Sequence, residues 1–234
     1  RRIMPSPQLP LALKLDTEAT FNNFYTPEGH RLLVNQLQQQ AAGTGEKWVY
    51  LYGAGGKSHL LQACCHLAES EGRYARYIPL GELIDFDPES LLEGAEYLDL
   101  LCFDDLQLIA GHDEWERAVF NCYNRMLATS ACMLVSSSLA HSQLTLGLPD
   151  LQSRLQSLSS YRLSDLNESE RMAALKFKAN IRGILVSDAV AEYIYTRCKR
   201  DAKSFFDLLN VLDRLSLVEQ RKLTIPFVKQ AMSW

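Results

Sequence analysis

The sequence predicts an α/β fold, with a parallel sheet, helices on both faces of the sheet, and a small all-α domain after it. Short apolar runs rich in β-branched and aromatic residues alternate with longer amphipathic segments through most of the chain, which is typical of parallel strands joined by helices. The last part has helical periodicity only. The chain has 234 residues, 47% of them hydrophobic and 22% charged, which is enough for packed cores in two unequal domains.

These patterns divide the chain into an extended tail at 1–20, an α/β domain at 21–165 and a helical lid at 166–234. The tail contains prolines and lacks helical periodicity. Strands are predicted at 48–52, 74–79, 99–104, 132–136 and 161–163. Helices of the α/β domain are predicted at 28–41, 58–70, 89–96, 113–128 and 149–156. In the lid, Asn167 and Glu170 resemble a capping box, and the helix that they begin is expected to end near Gly183. Further lid helices are predicted from Ser187 to about Arg200, from Ala202 to Lys222, and after Thr224.

Composition excludes several classes of protein. A net charge of −4 and a pI of about 5.8 do not favour direct nucleic-acid binding, although a local basic face stays open. No apolar run reaches the roughly 18 residues of a membrane span, and the N-terminal residues lack the apolar core of a signal peptide. The six cysteines form no C-x-x-C pair, so we expect reduced, buried thiols and a cytoplasmic protein. The five histidines lack metal-ligand spacing, so no zinc site is expected.

The stretch LYGAGGKSHLL, at 51–61, has the order of a phosphate-binding loop: a strand, a glycine-rich turn, Lys-Ser and a helix. Backbone N–H groups of such a turn converge on phosphate oxygens, the lysine reaches the outer phosphates and the hydroxyl binds Mg²⁺. An ordinary glycine-rich turn with a chance lysine is the alternative. The candidate ligands are Gly53, Gly55, Gly56, Lys57, Ser58 and His59.

The loop is two residues shorter than the G-x-x-x-x-G-K-[ST] pattern. Two interpretations remain open. A naturally short loop would cradle phosphate poorly. Alternatively, the sequence lacks two residues of the loop. We favour this second interpretation because the tips of exposed loops are often disordered.

Asp104 and Asp105 end the apolar strand predicted at 99–104. In a phosphate-loop protein, carboxylates at this place hold Mg²⁺ or its water opposite the loop hydroxyl. They also lie where open α/β sheets bind ligands. A polar turn between strand and helix is the alternative for this pair.

The tail contains QLPLAL, at 8–13, in which Leu9, Leu11 and Leu13 alternate behind Gln8. Alternate side chains share a direction only in an extended segment. The leucines therefore either pack on the body of the protein or in an edge strand, which composition favours, or enter pockets of another protein.

Taken in order, the motifs resemble the Hda family of DnaA-related AAA+ regulators of bacterial replication initiation. The resemblance covers nearly the whole chain. It rests on QLPLAL, TFNNFY (20–25), LYGAGGKSHLL, LLCFDDLQLIAGHDEWERAVFNCYNRM (100–126), LGLPDLQSRL (146–155) and QRKLTIPFVKQAM (220–232), the last being the most specific.

The resemblance implies an AAA+ fold and a regulator that, with the DNA-loaded sliding clamp, stimulates hydrolysis of DnaA-bound ATP and represses re-initiation. It implies that ADP or ATP binds at the loop. Phe21, Asn23 and Phe24 would border the base, and Lys203 would lie near the nucleotide. Ser58 and Asp104 would hold Mg²⁺ through the nucleotide, with Asp105 beside them. Gln8, Leu9, Leu11 and Leu13 would enter the clamp, the beta subunit of DNA polymerase III. An isolated arginine such as Arg154 is most simply a solvated surface residue. The resemblance implies instead that Arg154 is an arginine finger acting in trans on DnaA-bound ATP. The implied location is the cytoplasm, with the nucleoid reached through the clamp, and a homodimer stays open.

Two departures from the family pattern concern hydrolysis by the chain itself. Lys203 stands where the family has a second-sensor arginine, which loses the bidentate fork. Ser136, Ser137 and Ser138 occupy the first-sensor region, where the family often has an acid. We therefore expect weak or no intrinsic ATPase activity.

Two other functions fit parts of the sequence. One is a DnaA-like initiator or helicase-loader ATPase acting directly on DNA or helicase. DnaA carries a helix-turn-helix domain after its lid, whereas this sequence continues only to Trp234 and offers no basic stripe, so we expect this function less. The other is a small-molecule kinase, for which the leucine-rich tail and Arg154 would have no role.

Overall fold

The computed structural model describes residues 14–197 and 223–232. These residues belong to two compact units. The first contains residues 14–24 and Glu28–Ser164, and the second contains Tyr25–Pro27, 165–197 and 223–232. Within the described ranges, no helix is both long and apolar enough to cross a membrane.

The first unit is built on a five-stranded parallel sheet. Its strands are β1 (Trp48–Gly53), β2 (Ala75–Pro79), β3 (Leu100–Asp104), β4 (Cys132–Ser137) and β5 (Ser159–Leu163). Their order in the sheet is β2-β3-β4-β1-β5, and every neighbouring pair is parallel. The predicted α/β fold class is confirmed. Because the strands are parallel, the carboxyl ends of β1 and β3 lie at the same edge, on either side of β4.

Helices cover both faces of this sheet. They are α1 (Arg31–Ala42), α2 (Lys57–Ser70), α3 (Leu80–Leu83), α4 (Pro88–Leu92), α5 (Asp113–Leu127) and α6 (Pro149–Gln156). One core cluster joins α1 and α2 to Val49 and Leu51 of β1, and we call this side the α2 face. The other cluster joins α3, α4, α5 and α6 to Tyr50, and we call this side the α5 face. The alternation along β1 is that of a strand buried on both sides.

The predicted helix at 89–96 is wrong in its second half. Helix α4 ends at Leu92, Glu93 is extended, and Gly94 takes a left-handed φ of 72° that breaks the helix. A 3-10 turn follows at Ala95–Tyr97. Helix α3 has four residues, too few for its periodicity to be recognised in the sequence.

The second unit is all-helical where it is described, with α7 (Glu168–Ile181), α8 (Asp188–Arg197) and α9 (Ile225–Met232). The predicted capping box is confirmed. The Asn167 side chain accepts from the Glu170 N–H at 2.9 Å, and the Glu170 carboxylate accepts from the Asn167 N–H at 2.9 Å. Leu175, Ile194 and Val228 pack in a core of their own. The predicted helix at 202–222 lies outside the described residues.

Candidate functional site

The candidate phosphate loop is a tight turn between β1 and α2. Only Ala54 and Gly55 separate Gly53, the last residue of β1, from Gly56, the N-cap of α2. Gly53 and Gly56 have φ angles of 108° and 103°, which favour glycine. A Cβ on Gly53 would collide with the Leu163 carbonyl, and that carbonyl accepts from the Ala54 N–H at 2.8 Å. Strand β5 therefore fixes the first half of the turn.

Lys57 begins α2 and folds back over this turn. Its ammonium donates to the carbonyl oxygens of Gly53 at 2.9 Å and Ala54 at 3.0 Å. The cation therefore lies directly over the turn, beside the positive end of the α2 dipole. Both features favour an anion at the start of α2. To reach a phosphate, the ammonium must exchange its two carbonyl partners for phosphate oxygens.

Asp104, at the end of β3, is the buried carboxylate of the site, with 4% of its surface exposed. The Tyr77 hydroxyl donates to Asp104 Oδ2 at 2.6 Å, and the Ser136 hydroxyl donates to Oδ1. Burial is the main cause that raises the pKa of the Tyr77 hydroxyl, and the Asp104 carboxylate raises this pKa further. The nearby Ser58 hydroxyl lowers the pKa. Ser58 and Asp104 therefore both lie near the Tyr77 hydroxyl. These are hard oxygen donors of the kind that Mg²⁺ prefers, so the residues fit a magnesium ion.

Asp105 directs its carboxylate to a different partner. It has a left-handed φ of 59°, and its N–H donates to Ser136 Oγ at 3.0 Å. Its carboxylate accepts from Gln107 Nε2 at 3.1 Å, and Gln107 Oε1 accepts from the Ser138 N–H at 3.0 Å. The structure therefore separates the two predicted carboxylates. The Asp104 carboxylate accepts hydrogen bonds from Tyr77 and Ser136, and the Asp105 carboxylate accepts one from Gln107.

Phe24 and His59 border the end of the loop. The Phe24 ring lies 3.1 Å from the place of a Cβ on Gly56 and 5.4 Å, centroid to centroid, from the His59 ring. His59 Nε2 contacts the Thr20 carbonyl at 2.7 Å. Phe21 and Asn23 form a 3-10 turn, and Asn23 Nδ2 donates to the Glu18 carbonyl at 2.9 Å. The segment resembling the family's entry to the nucleotide domain is thus attached to α2 and placed against the loop.

Arg154 lies far from the loop in the same unit. It is exposed on α6, and its guanidinium carbon lies 5.8 Å from the centre of the Tyr123 ring. The Tyr123 ring in turn lies tilted against the ring of Trp48, the first residue of β1, with 4.6 Å between ring centres. The loop begins at the other end of β1, about 16 Å along an extended strand. Arg154 and Lys57 therefore occupy opposite faces and opposite edges of the sheet.

Glu116 was not among the residues singled out from the sequence, although it is 1% exposed. It lies in the first turn of α5, where a glutamate looks like an ordinary helix-dipole charge. Its carboxylate accepts from the N–H groups of Gly111 at 3.0 Å, Gly147 at 3.1 Å and Leu148 at 2.7 Å. A signal did exist, because Glu116 shares the helical spacing of buried Val119 and Tyr123.

Several predicted site residues lie outside the described ranges. They are Gln8, Leu9, Leu11 and Leu13 of the tail and Lys203. Among the described residues, the cysteines are free and buried, and no cluster of histidine, cysteine and acidic side chains could hold a metal ion by itself. A magnesium ion at Ser58 and Asp104 would therefore need a nucleotide to complete its ligands, as the sequence-based expectation has it.

Two family models match adjacent parts of the chain. Residues 15–163 match the ATPase domain of bacterial DnaA. Residues 168–232 match the lid domain of Hda. The first match alone covers more than half of the 234 residues.

Solved structures with similar folds include domain III of DnaA from Thermotoga maritima, at 18% identity and a TM-score of 0.76, covering 94% of this chain and 98% of that one. AMPPCP-bound DnaA from Aquifex aeolicus has 21% identity and a TM-score of 0.74, covering 86% and 67%. The RuvB branch migration motor of Thermotoga maritima has 16% identity and a TM-score of 0.67, covering 92% and 71%. At these identities the likeness shows a shared AAA+ fold. With the family matches, it places this chain in the DnaA-related AAA+ family, with a DnaA-type ATPase domain and an Hda-type lid.

Proposed function

We propose that the chain is a regulator of replication initiation that stimulates hydrolysis of DnaA-bound ATP when it is bound to the DNA-loaded sliding clamp. DnaA left with ADP would not start a second round of replication, so the chain would be a negative regulator of initiation. The observation that carries the proposal is the place of Arg154. An exposed guanidinium at the opposite face and edge of the sheet from Lys57 is suited to a nucleotide on another molecule.

The chemistry of Arg154 supports this role. A guanidinium is always charged and presents planar N–H donors that match phosphate oxygens. Arg154 takes no part in the ion pairs formed by residues 14–197 and 223–232. Within the described ranges its guanidinium lies over the Tyr123 ring, a contact with the ring face that does not need the N–H groups as hydrogen-bond donors. An arginine supplied in trans to a phosphoryl-transfer site accelerates hydrolysis by about 10³–10⁵-fold.

The proposal includes ADP or ATP as a ligand of the chain itself. The phosphates would lie at Gly53–Ser58 and the start of α2, with Phe24 and His59 beside them. One DnaA of known structure is bound to AMPPCP, which supports an adenine nucleotide. Ser58 and Asp104 would hold Mg²⁺, which neutralises phosphate charge when it is bound. Since Lys57 is occupied by loop carbonyls and Lys203 replaces an arginine, intrinsic hydrolysis would be slow.

The partners proposed are DnaA and the sliding clamp, with DNA reached through the clamp. The leucines of QLPLAL would enter a clamp pocket as an extended peptide, with Gln8 as the polar contact at its start. The protein would act in the bacterial cytoplasm and reach the nucleoid through the clamp. A second copy of the chain is a further proposed partner.

The test is the rate of ATP loss from DnaA in the presence of DNA-loaded clamp, with and without this protein. We expect acceleration by the unmodified chain. Arg154→Ala should lower the maximal rate by about 10³-fold or more, a loss that added protein does not overcome, and Arg154→Lys should recover little, because a lysine lacks the bidentate fork. The pair Leu11→Ala and Leu13→Ala should instead be overcome by more protein, because it weakens recruitment only.

Three outcomes would contradict the proposal or a part of it. No acceleration by the unmodified protein would remove it. Duplex DNA binding of similar strength with and without the clamp would favour the initiator function instead. A maximal rate that survives Arg154→Ala would remove the role of Arg154.

A further inference from the structure

Glu116 is a buried carboxylate whose partners are all backbone N–H groups. It accepts from Gly111, Gly147 and Leu148, at 2.7–3.1 Å, and none of the three ion pairs of the described residues involves it. Hydrogen bonds to a charged acceptor are among the stronger ones in proteins, and an isolated buried carboxylate is costly. The Glu116 carboxylate therefore fixes the positions of the three backbone N–H groups that donate to it.

Those partners connect Glu116 to α6. Leu148 is the N-cap of α6, and Gly147 precedes it. A Cβ on Gly147 would lie 3.4 Å from Glu116 Oε2, so the carboxylate packs directly against the chain as α6 begins. Gln152, in the first turn of α6, supports the same loop by accepting from the Leu146 N–H at 3.1 Å and donating to the His141 carbonyl at 3.2 Å.

Helix α5 contacts α6 at a second point, which is Arg154 itself. Glu116 and Tyr123 of α5 are seven residues apart, and the helix rises about 10.5 Å between them. Their partners Leu148 and Arg154 are six residues apart, a rise of about 9 Å. The two spacings agree, so α5 and α6 run side by side with matched contacts at both ends. Leu151 and Leu155 of α6, both nearly fully buried, belong to the same core cluster as Val119 of α5.

We propose that Glu116 is a positioning residue for Arg154. By holding the start of α6 on α5, Glu116 sets how far along α5 the helix lies, and this places the Arg154 guanidinium beside Tyr123. Loss of the carboxylate leaves the N–H groups of Gly147 and Leu148 without their acceptor. Helix α6 can then shift along α5 and carry Arg154 with it. This inference rests on the proposed function, because the position of Arg154 matters to catalysis only if Arg154 acts in trans.

The experiment measures two quantities in the DnaA-ATP hydrolysis assay with DNA-loaded clamp: the maximal rate and the protein concentration that gives half of it. Glu116→Ala should lower the maximal rate by about 100-fold, as expected for a reacting group displaced by about 1 Å. The half-saturating concentration should change less than about threefold, because recruitment is unaffected. Glu116→Gln keeps one acceptor oxygen and should give an intermediate rate.

The double variant Glu116→Ala, Arg154→Ala should be no slower than Arg154→Ala alone, since both changes act through one guanidinium. Gln40→Ala is the matched control, because Gln40 is a fully buried polar residue that hydrogen-bonds Lys47 and Met133 carbonyls on the α2 face. It should lower stability but leave the maximal rate intact. Amide exchange at Leu148 supplies a readout without DnaA, and Glu116→Ala should make it about tenfold faster.

The outcomes separate the two proposals. Acceleration by the unmodified protein with a maximal rate that survives Glu116→Ala overturns the positioning role and leaves the proposed function standing. A rate loss matched by Gln40→Ala, or one that multiplies with that of Arg154→Ala, also overturns it, because it would reflect stability. No acceleration by the unmodified protein overturns both. A lower maximal rate, a non-additive double variant and faster Leu148 exchange together establish it.

Discussion

Asp104 shows how much of the candidate site depends on single contacts between strands. Its position at the end of an apolar strand predicted a carboxylate at the ligand-binding edge of the sheet. The contacts with Tyr77 and Ser136 could not be predicted, because they join β2, β3 and β4 across 27 and 32 residues of sequence. Periodicity states which face of a strand a residue occupies, but not which residue of a neighbouring strand lies beside it.

Removal of the Tyr77 hydroxyl should destabilise the first unit. Tyr77→Phe leaves a buried carboxylate oxygen without its donor, and we expect a loss of about 1–3 kcal/mol in the free energy of unfolding. Urea denaturation followed by circular dichroism measures it. Tyr161→Phe is the control, because Tyr161 also donates to a carboxylate, Glu46, but at the surface. It should cost at most about 0.5 kcal/mol. Equal losses in the two variants would mean that the Asp104 contact contributes little.

At the scale of the element, sequence reasoning succeeded where local patterns decide the outcome. The capping box at Asn167, the left-handed glycine at Gly183 and the span of α6 at 149–156 are found as predicted. The pairing of α5 with α6 was not predicted, because it depends on Glu116, whose partners lie up to 32 residues away. A charged residue on an apolar helix face is the feature that identifies such contacts in a sequence.

The cap of α7 should contribute measurably to the second unit. Asn167→Ala removes the acceptor for the Glu170 N–H, and we expect a loss of about 1 kcal/mol of helix stability. Asn167→Asp is the matched control, because it keeps the acceptor and adds a negative charge where the helix dipole favours one. Hydrogen exchange at the Glu170 amide should be faster in the alanine variant and unchanged or slower in the aspartate variant. Equal exchange in both variants would show that the side-chain cap is not needed.

At the scale of the whole molecule, the alternation of strands and helices predicted the fold class, and the β2-β3-β4-β1-β5 order supplied what the alternation could not. That order places β1 between β4 and β5, so Leu163 of β5 reaches the candidate phosphate loop and fixes Ala54. The sequence showed a loop two residues short. It could not show that β5 and Lys57 together satisfy the polar groups of such a turn, because both contacts depend on the folded sheet.

A nucleotide should therefore bind by replacing contacts that the loop already makes, and the stability of the whole protein reports this binding. ADP at 100 times its dissociation constant should raise the free energy of unfolding by about 2.7 kcal/mol, seen as a higher midpoint of thermal unfolding. Lys57→Ala, compared with its own nucleotide-free midpoint, should lose most of that increase.

Alkylation of buried thiols shows where in the protein ADP acts, because Cys64 and Cys65 lie on α2, which begins at the loop, whereas Cys122 lies on α5. Burial raises the pKa of the Cys64 thiol, so its labelling requires opening of α2. ADP should slow labelling at Cys64 more than at Cys122. If millimolar ADP changes neither the midpoint nor the labelling of Cys64, the short loop does not bind a nucleotide, and Arg154 would act from a protein that needs none.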